Sequence, residues 1–177
     1  GRTVDTLIDQ PGTTPGRSQA DLLGKLVPAG GASPIVDSLN AHYDHTALEP
    51  SAVNAGTSSQ LEVDSDLVAS AAGQLAGHVL FTMGCHAGLN VPDGSYTGDR
   101  QGDWAQSIAG SGGIYVANTG FGYGDTETVA YSEQLMGNFA GLLDGSVTVG
   151  DALIYAKQKY FGNLAVLDPY DEKASME

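Results

Sequence analysis

The only cysteine of the chain, Cys85, follows a short apolar run that ends at a glycine. Residues 78–83 are apolar or β-forming, and Gly77 and Gly84 bound them. Such a run predicts a buried strand of a parallel sheet, and catalytic groups in open α/β sheets gather just beyond the carboxyl ends of strands. A thiol at that point is a candidate nucleophile, although a lone cysteine is more commonly a small buried hydrophobe.

Histidine marks the end of a second predicted strand. Residues 34–41 read as β-structure and lead directly into His42, with His45 three positions later. If the two strands are neighbours in a parallel sheet, the thiol and an imidazole emerge at the same edge, where the imidazole could accept the thiol proton. Backbone N–H groups of Gly84 and Cys85 could then form an oxyanion hole, because glycine lets a substrate approach the main chain closely.

Helical patterns alternate with these strands and predict the scaffold. Ser18, Asp103 and Thr148 have the residue types that begin helices. The predicted helices span 18–27, 64–75, 103–109, 127–143 and 148–160, with a last helical piece from 168, and a third strand spans 114–118. This alternation predicts an α/β protein, a three-layer αβα sandwich with a mostly parallel sheet. The stretch 46–62 reads as a surface loop.

Composition narrows the functional classes. The chain has 177 residues, 41% of them hydrophobic, which suits one domain over 1–177. A net charge of −14 argues against nucleic-acid binding, which requires a basic surface. No unbroken run of 18 apolar residues predicts a membrane span. One thiol excludes an internal disulfide and suits either the cytoplasm or secretion. We expect the chain to be a segment of a longer precursor with other domains.

Two segments resemble a known family. Residues 40–45 and 83–93 are similar to the bacterial gingipain-type cysteine peptidases of the caspase-like group, in which a histidine ends one strand and a cysteine ends the next. Here Cys85 follows His42 by 43 positions, and the similarity covers about residues 32–161. The resemblance implies a caspase-like fold and a cysteine endopeptidase acting on peptide or protein substrates, with no organic cofactor. It slightly favours a secreted or cell-surface location.

The resemblance also implies roles for individual residues. Cys85 would be the nucleophile and His42 its general base, preferred over His45 because it lies closer to the strand end. The family commonly has glycine after the catalytic histidine; this chain has Tyr43, whose amide could still join Gly84 and Cys85 in the oxyanion hole.

The predicted substrate pocket lies in the loops beyond the strands. The resemblance makes Trp104 and the loop from Thr119 to Asp125 candidates to flank a P1 side chain, with His45 at the rim. Asp93 or Asp125 could pair with a P1 arginine or lysine. The alternatives are core packing for Trp104 and turn or capping roles for the aspartates.

Other interpretations remain open at this stage. Asp44 or Asp37 could orient the imidazole of His42. A zinc site could use four potential ligands, namely His42, His45, Cys85 and His86, although their spacing is poor for a tetrahedral shell. The chain could also be an inactive caspase-like binding module or a thiol hydrolase acting on a non-peptide ester. The acidic stretch 93–103 matches no calcium-ligand pattern.

Overall fold

Helices and strands alternate along the chain as the sequence predicts. The computed structural model describes residues 4–7, 18–27, 36–50, 62–70, 74–92 and 102–176. In these ranges the strands are β1 (Val36–Ser38), β2 (His42–Tyr43), β3 (Ala47–Glu49), β4 (Val63–Asp64), β5 (Val79–Thr82) and β6 (Ile114–Ala117). The helices are α1 (Gln19–Leu26), α2 (Ser65–Ala69), α3 (Trp104–Gly110), α4 (Tyr131–Gly141), α5 (Val149–Asn163) and α6 (Pro169–Met176).

The larger sheet is parallel and has helices on both faces. Its order is β1-β5-β6, and both pairings are parallel. Consecutive side chains of β5 point to opposite faces, so Leu80 packs into one core cluster while Val79 and Phe81 pack into another. Buried residues of α2 and α3 join Leu80, and buried residues of α4 and α5 join Val79 and Phe81. The fold is therefore α/β, with an arrangement compatible with three αβα layers.

A second, antiparallel sheet was not expected from the sequence. Its order is β2-β3-β4, so part of the stretch interpreted as a loop forms β3. The strand expected over 34–41 ends at Ser38 instead. Leu39 N–H still bonds to Phe81 O at 3.0 Å, but the next rung uses the Asn40 side chain, whose Oδ1 accepts from Met83 N–H at 3.2 Å. Replacing a backbone partner with a side chain ends the ladder and lets the chain turn into the second sheet.

Three predicted helix starts, at Ser18, Asp103 and Thr148, are confirmed. Ser18 and the third helical residue, Asp21, form a reciprocal capping box at α1. Asp103 accepts from Gln106 N–H at 2.7 Å, and Thr148 accepts from the Asp151 amide at 3.1 Å. Each side-chain oxygen satisfies an amide that has no partner inside its helix, which fixes where the helix begins.

Two helices are shorter than predicted. The helix expected over 127–143 begins only at Tyr131, because Asp125 accepts from the amides of Glu127 and Thr128 and makes a separate turn. Tyr131 itself has a φ of 54°, outside the right-handed helical region. The helix expected over 64–75 ends at Ala69, and its cap residue Asp64 makes no side-chain capping bond. In the described ranges, no helix has the length and apolar character needed to cross a membrane.

Candidate active site

Cys85 lies in a sharp turn three residues beyond the end of β5. Its thiol is free and half-buried. The preceding residue, Gly84, is buried, and its N–H donates to Thr82 Oγ1 at 2.9 Å. The following residue, His86, adopts a left-handed backbone with a φ of 56°, and Ala87 N–H reaches back to Gly84 O at 3.4 Å. The sulfur therefore stands at a corner of the chain.

The loop that follows β6 holds this corner in place. His86 N–H donates to Gly120 O at 2.5 Å and Gly88 N–H donates to Asn118 O at 2.8 Å. The Asn118 side chain is buried and donates from Nδ2 to Met83 O at 3.1 Å. Backbone bonds on both sides of Cys85 leave little freedom for the main chain that carries the thiol.

A backbone amide of the same loop points at the sulfur. Gly122 N–H donates to Cys85 Sγ at a distance of 3.4 Å. A Cβ at position 122 would lie 1.8 Å from Met83 O, so only glycine allows this approach. An N–H directed at sulfur can stabilise a thiolate, which is the reactive form of cysteine in nucleophilic attack.

His42 occupies a position that matches that of Cys85. Ser38 and Phe81 are paired in the parallel register of β1 and β5, and His42 and Cys85 each lie four residues beyond that pair. Tyr43, the residue after His42, packs on Gly84, the residue before Cys85: a Cβ at position 84 would lie 2.2 Å from Tyr43 Cδ2. The structure thus brings the two predicted catalytic segments into contact.

The Tyr43 side chain is partly buried and packs against the cysteine turn. Its ring meets Trp104 edge-on with centroids 5.7 Å apart. Burial is the main cause that raises the pKa of Tyr43, so the hydroxyl stays protonated at ordinary pH. Tyr43 was predicted only as an amide donor, and its packing on Gly84 was not foreseen.

The imidazole of His42 lies in an open groove rather than on the thiol. Side chains alternate along β2, so His42 faces away from the side where Tyr43 packs. The groove has a volume of about 150 Å³. Its lining consists of His42, Tyr43, Asp44, Ala47, Leu48, Glu49 and Glu62. Within the described part of the chain, His42 is not hydrogen-bonded to Cys85, whose sulfur is bonded to the Gly122 amide.

The three predicted oxyanion donors differ in their surroundings. The Gly84 amide is already bonded to Thr82 Oγ1, so it is engaged in this arrangement. Asp44 N–H bonds to Ala47 O, which makes Tyr43 and Leu48 a pair without ladder hydrogen bonds. Tyr43 N–H is therefore directed away from β3. The Tyr43 amide therefore lies outside the β2–β3 ladder, while the Gly84 amide is engaged.

The acidic candidates for orienting the imidazole have other partners. Asp44 Oδ1 accepts from Thr46 N–H, Thr46 Oγ1 and Ala47 N–H at 2.7–2.8 Å, and so caps the hairpin. Asp37 faces His78, with 3.6 Å between Oδ2 and Nδ1. The carboxylate opposite His42 belongs instead to Glu49, its cross-strand partner. Sequence spacing could not identify Glu49, because β3 itself was not predicted.

The predicted substrate-binding residues that the structure describes have different surroundings. Trp104 is 1% exposed in the core, so the prediction that it flanks a substrate is wrong. Asp125 caps a turn, and the amides of Glu127 and Thr128 hold the pKa of its carboxyl below the usual range. Thr119 O contacts His86 Nδ1 at 3.3 Å, which keeps that loop beside Cys85. Asp93 lies outside the described residues.

His45 and the other histidines have separate places. His45 lies in the β2–β3 hairpin, where its carbonyl accepts from Trp104 N–H at 3.0 Å. His86 packs edge-on against Phe121 with centroids 4.6 Å apart. Among the described residues, no group of three or more His, Cys, Asp or Glu side chains could hold a metal ion, so the potential zinc ligands do not assemble there.

Comparison with known proteins gives no further support for any of these roles. No family model matches the chain, and neither a curated protein nor a solved structure matches it.

Proposed function

We propose that the chain is a cysteine endopeptidase of the gingipain type, with a caspase-like fold, that uses Cys85 as nucleophile and His42 as general base. One observation carries the proposal: the residue after His42 packs on the residue before Cys85, at the carboxyl ends of two paired parallel strands. Two residues 43 positions apart in the sequence reach one edge of a sheet, which supports a thiol–imidazole pair.

The proposed reaction uses groups that lie at this edge. The Cys85 sulfur attacks the scissile carbonyl carbon while His42 accepts the thiol proton, and the amides of Tyr43 and Cys85 bind the oxyanion. The C–N bond then breaks, His42 gives the proton to the leaving amine, and a thioester remains on Cys85. Water, deprotonated by His42, hydrolyses the thioester and restores the thiol. The imidazole turns from the groove to the sulfur when substrate binds, since catalytic hydrogen bonds often form only in the complex.

Charge supports a preference for a basic P1 residue. The chain carries a net charge of −14, and the groove beside His42 is lined by Asp44, Glu49 and Glu62. Carboxylates at the site attract cationic side chains and disfavour acidic ones. We therefore expect peptides with arginine or lysine before the scissile bond to be cleaved best.

A P1-varied library of fluorogenic peptides tests the proposal. The parent protein should cleave basic-P1 peptides, Cys85→Ala should show only background, and His42→Ala should lose about 10²–10⁴-fold in rate, the usual contribution of a general base. His45→Ala is the matched control and should stay within about threefold of the parent. No cleavage of any peptide by a folded parent, or equal losses for the two histidine variants, would contradict the assignment.

The second candidate is a catalytically inactive caspase-like binding module. The observation that favours it is the position of the His42 imidazole in the groove, away from the thiol. Mass spectrometry after iodoacetamide treatment at neutral pH separates the two candidates. A peptidase thiol should react faster than free cysteine, whereas a thiol no faster than free cysteine, together with no cleavage, supports the binding module.

A further inference from the structure

Three tyrosines connect α6 with the loop after β6, which contains the Gly122 amide that donates to Cys85 Sγ. We call Tyr123, Tyr131 and Tyr170 the tyrosine cluster. The Tyr170 ring, on α6, lies 5.5 Å from the Tyr123 ring and 5.8 Å from the Tyr131 ring, measured between centroids. Tyr131 also donates its hydroxyl to Asp168 Oδ2 at 3.2 Å, directly before α6. The cluster therefore attaches the loop before α4 to the final helix.

The same cluster is one residue away from the amide that faces the thiol. Tyr123 follows Gly122, and its backbone is held at both ends by Ser132: Tyr123 N–H donates to Ser132 Oγ, and Ser132 N–H donates to Tyr123 O, both at 3.0 Å. Ser132 is fully buried. Gly122 has no side chain, so its amide is positioned through its neighbours: Phe121 contacts the His86 ring, and Tyr123 is bonded to Ser132.

Backbone strain at Tyr131 shows that the cluster holds an unfavourable conformation. A bulky side chain at a φ of 54° is rare, and surrounding contacts must maintain it. Those contacts come from Tyr170 and Asp168. A second anchor fixes α6 itself, because the buried Tyr160 hydroxyl donates to Asp171 Oδ1 at 2.5 Å. The strain at the start of α4 is thus balanced by α6.

We propose that Tyr170 is a positioning residue for the Cys85 site: through the tyrosine cluster, α6 holds the Gly122 amide against the nucleophilic sulfur. The inference rests on the proposed role of Cys85 for its catalytic consequence, but the positioning itself does not depend on catalysis. Tyr170 touches neither the thiol nor His42 and acts through Tyr123 and Gly122.

Amide hydrogen exchange, resolved by NMR, tests the positioning directly. In Tyr170→Ala the Gly122 amide should exchange about fivefold faster than in the parent, the change expected for losing one ordinary hydrogen bond. The Leu80 amide, in the centre of β5, should exchange at the parental rate. An unchanged rate there excludes a loss of overall stability as the cause of faster exchange at Gly122. Tyr170→Phe keeps the ring and should restore the parental rate at Gly122. Tyr155→Ala removes another half-exposed tyrosine, on α5, and should change neither amide.

A second variant, Tyr131→Phe, keeps the test valid if Tyr170→Ala does not fold. Tyr131→Phe keeps the ring but removes the donor to Asp168, and should accelerate Gly122 exchange by a smaller factor of about two. Unchanged Gly122 exchange in both Tyr170→Ala and Tyr131→Phe would overturn the inference. An acceleration equal at Gly122 and Leu80 would also overturn it, by making the effect one of overall stability.

Kinetics then separates this inference from the proposed function. If the parent is a peptidase, Tyr170→Ala should lower kcat about fivefold with KM within twofold, because the sulfur and not the substrate groove is affected. A parent that cleaves nothing contradicts the proposed function, while faster exchange at Gly122 in Tyr170→Ala still supports the positioning role. Full kcat in Tyr170→Ala, despite faster exchange, would contradict the catalytic consequence.

Discussion

Replacing Gly84 by alanine should push the two halves of the candidate site apart. The added Cβ would lie 2.2 Å from Tyr43 Cδ2, 2.7 Å from Cγ and 3.0 Å from Cβ. The ring has little room to move, because it is packed against Trp104 on one side and lies against the core cluster that includes Leu80. Either the turn or the ring must shift.

The expected cost follows from this packing. Overpacking a well-filled core typically destabilises a protein by about 1–3 kcal/mol, and the contacts at position 84 involve ring atoms rather than the free end of a flexible chain. We therefore expect Gly84→Ala to lower the free energy of unfolding by about 2 kcal/mol. The same shift should slow alkylation of Cys85, the next residue, because the turn that carries the thiol must adjust.

Urea unfolding measures the loss of stability. Trp104 is the only tryptophan and is buried against Tyr43, so its fluorescence reports on this region, and circular dichroism gives an independent signal. Gly137→Ala is the matched control. Gly137 lies inside α4 with nothing within 4 Å of an added Cβ, and alanine there should stabilise the protein by about 0.5–1 kcal/mol.

A double-mutant cycle decides whether Tyr43 is the cause. In a Tyr43→Ala background the collision is largely removed, so Gly84→Ala should cost at least about 1 kcal/mol less than in the parent. Equal costs in the two backgrounds would refute the contact between Tyr43 and Gly84, and with it the argument that the histidine and cysteine segments meet.

Three further substitutions test other parts of the structure. Burial raises the pKa of Asp37 above 3.8, with His78 opposing the shift, so this carboxyl adds stability at low pH that is lost as pH rises through its folded-state pKa. Asp37→Asn should therefore gain stability relative to the parent between pH 3 and pH 7 in urea titrations. If the difference in free energy of unfolding between the two proteins does not change with pH, Asp37 is not a buried charge in solution. Thr148→Ala removes the cap of α5 and should cost about 1 kcal/mol by the same titration, whereas no change would mean that the cap is not formed in solution. Phe139→Ala empties a fully buried site beside Phe81 and should cost about 3–5 kcal/mol, and a cost below 1 kcal/mol would contradict the packing of α4 on the sheet.

Local signals in the sequence predicted the framework well. Cap residues such as Ser18 and Thr148 identify helix starts because the capping bond involves neighbours three residues apart. The apolar run before Gly84 predicted the central strand, observed as β5. A strand whose four consecutive residues are all buried lies in a sheet that is covered on both faces, so both sets of side chains are apolar in the sequence. These features depend on short-range chemistry, which a sequence displays directly.

Features that depend on distant partners were not predictable in the same way. The hairpin of β2 and β3 depends on Asp44, whose carboxylate caps the turn, and this role looks the same in sequence as a surface aspartate. The family resemblance made Trp104 a candidate for the substrate pocket, with core packing as the alternative. Its burial beside Tyr43 depends on packing between residues 61 positions apart in the sequence. The glycine at 122 was visible as part of an alternating run, but its bond to Cys85 required coordinates.

The left-handed backbone at His86 makes the corner that carries Cys85 dependent on a neighbouring aromatic side chain. A residue with a Cβ loses roughly 1–2 kcal/mol in this conformation, and the ring contact with Phe121 and the bond to Gly120 O oppose that penalty. Loss of those contacts would favour a right-handed angle at residue 86 and would move the neighbouring sulfur away from its amide donor. The exposed side chain of Phe121 therefore contributes to the alignment of the thiol.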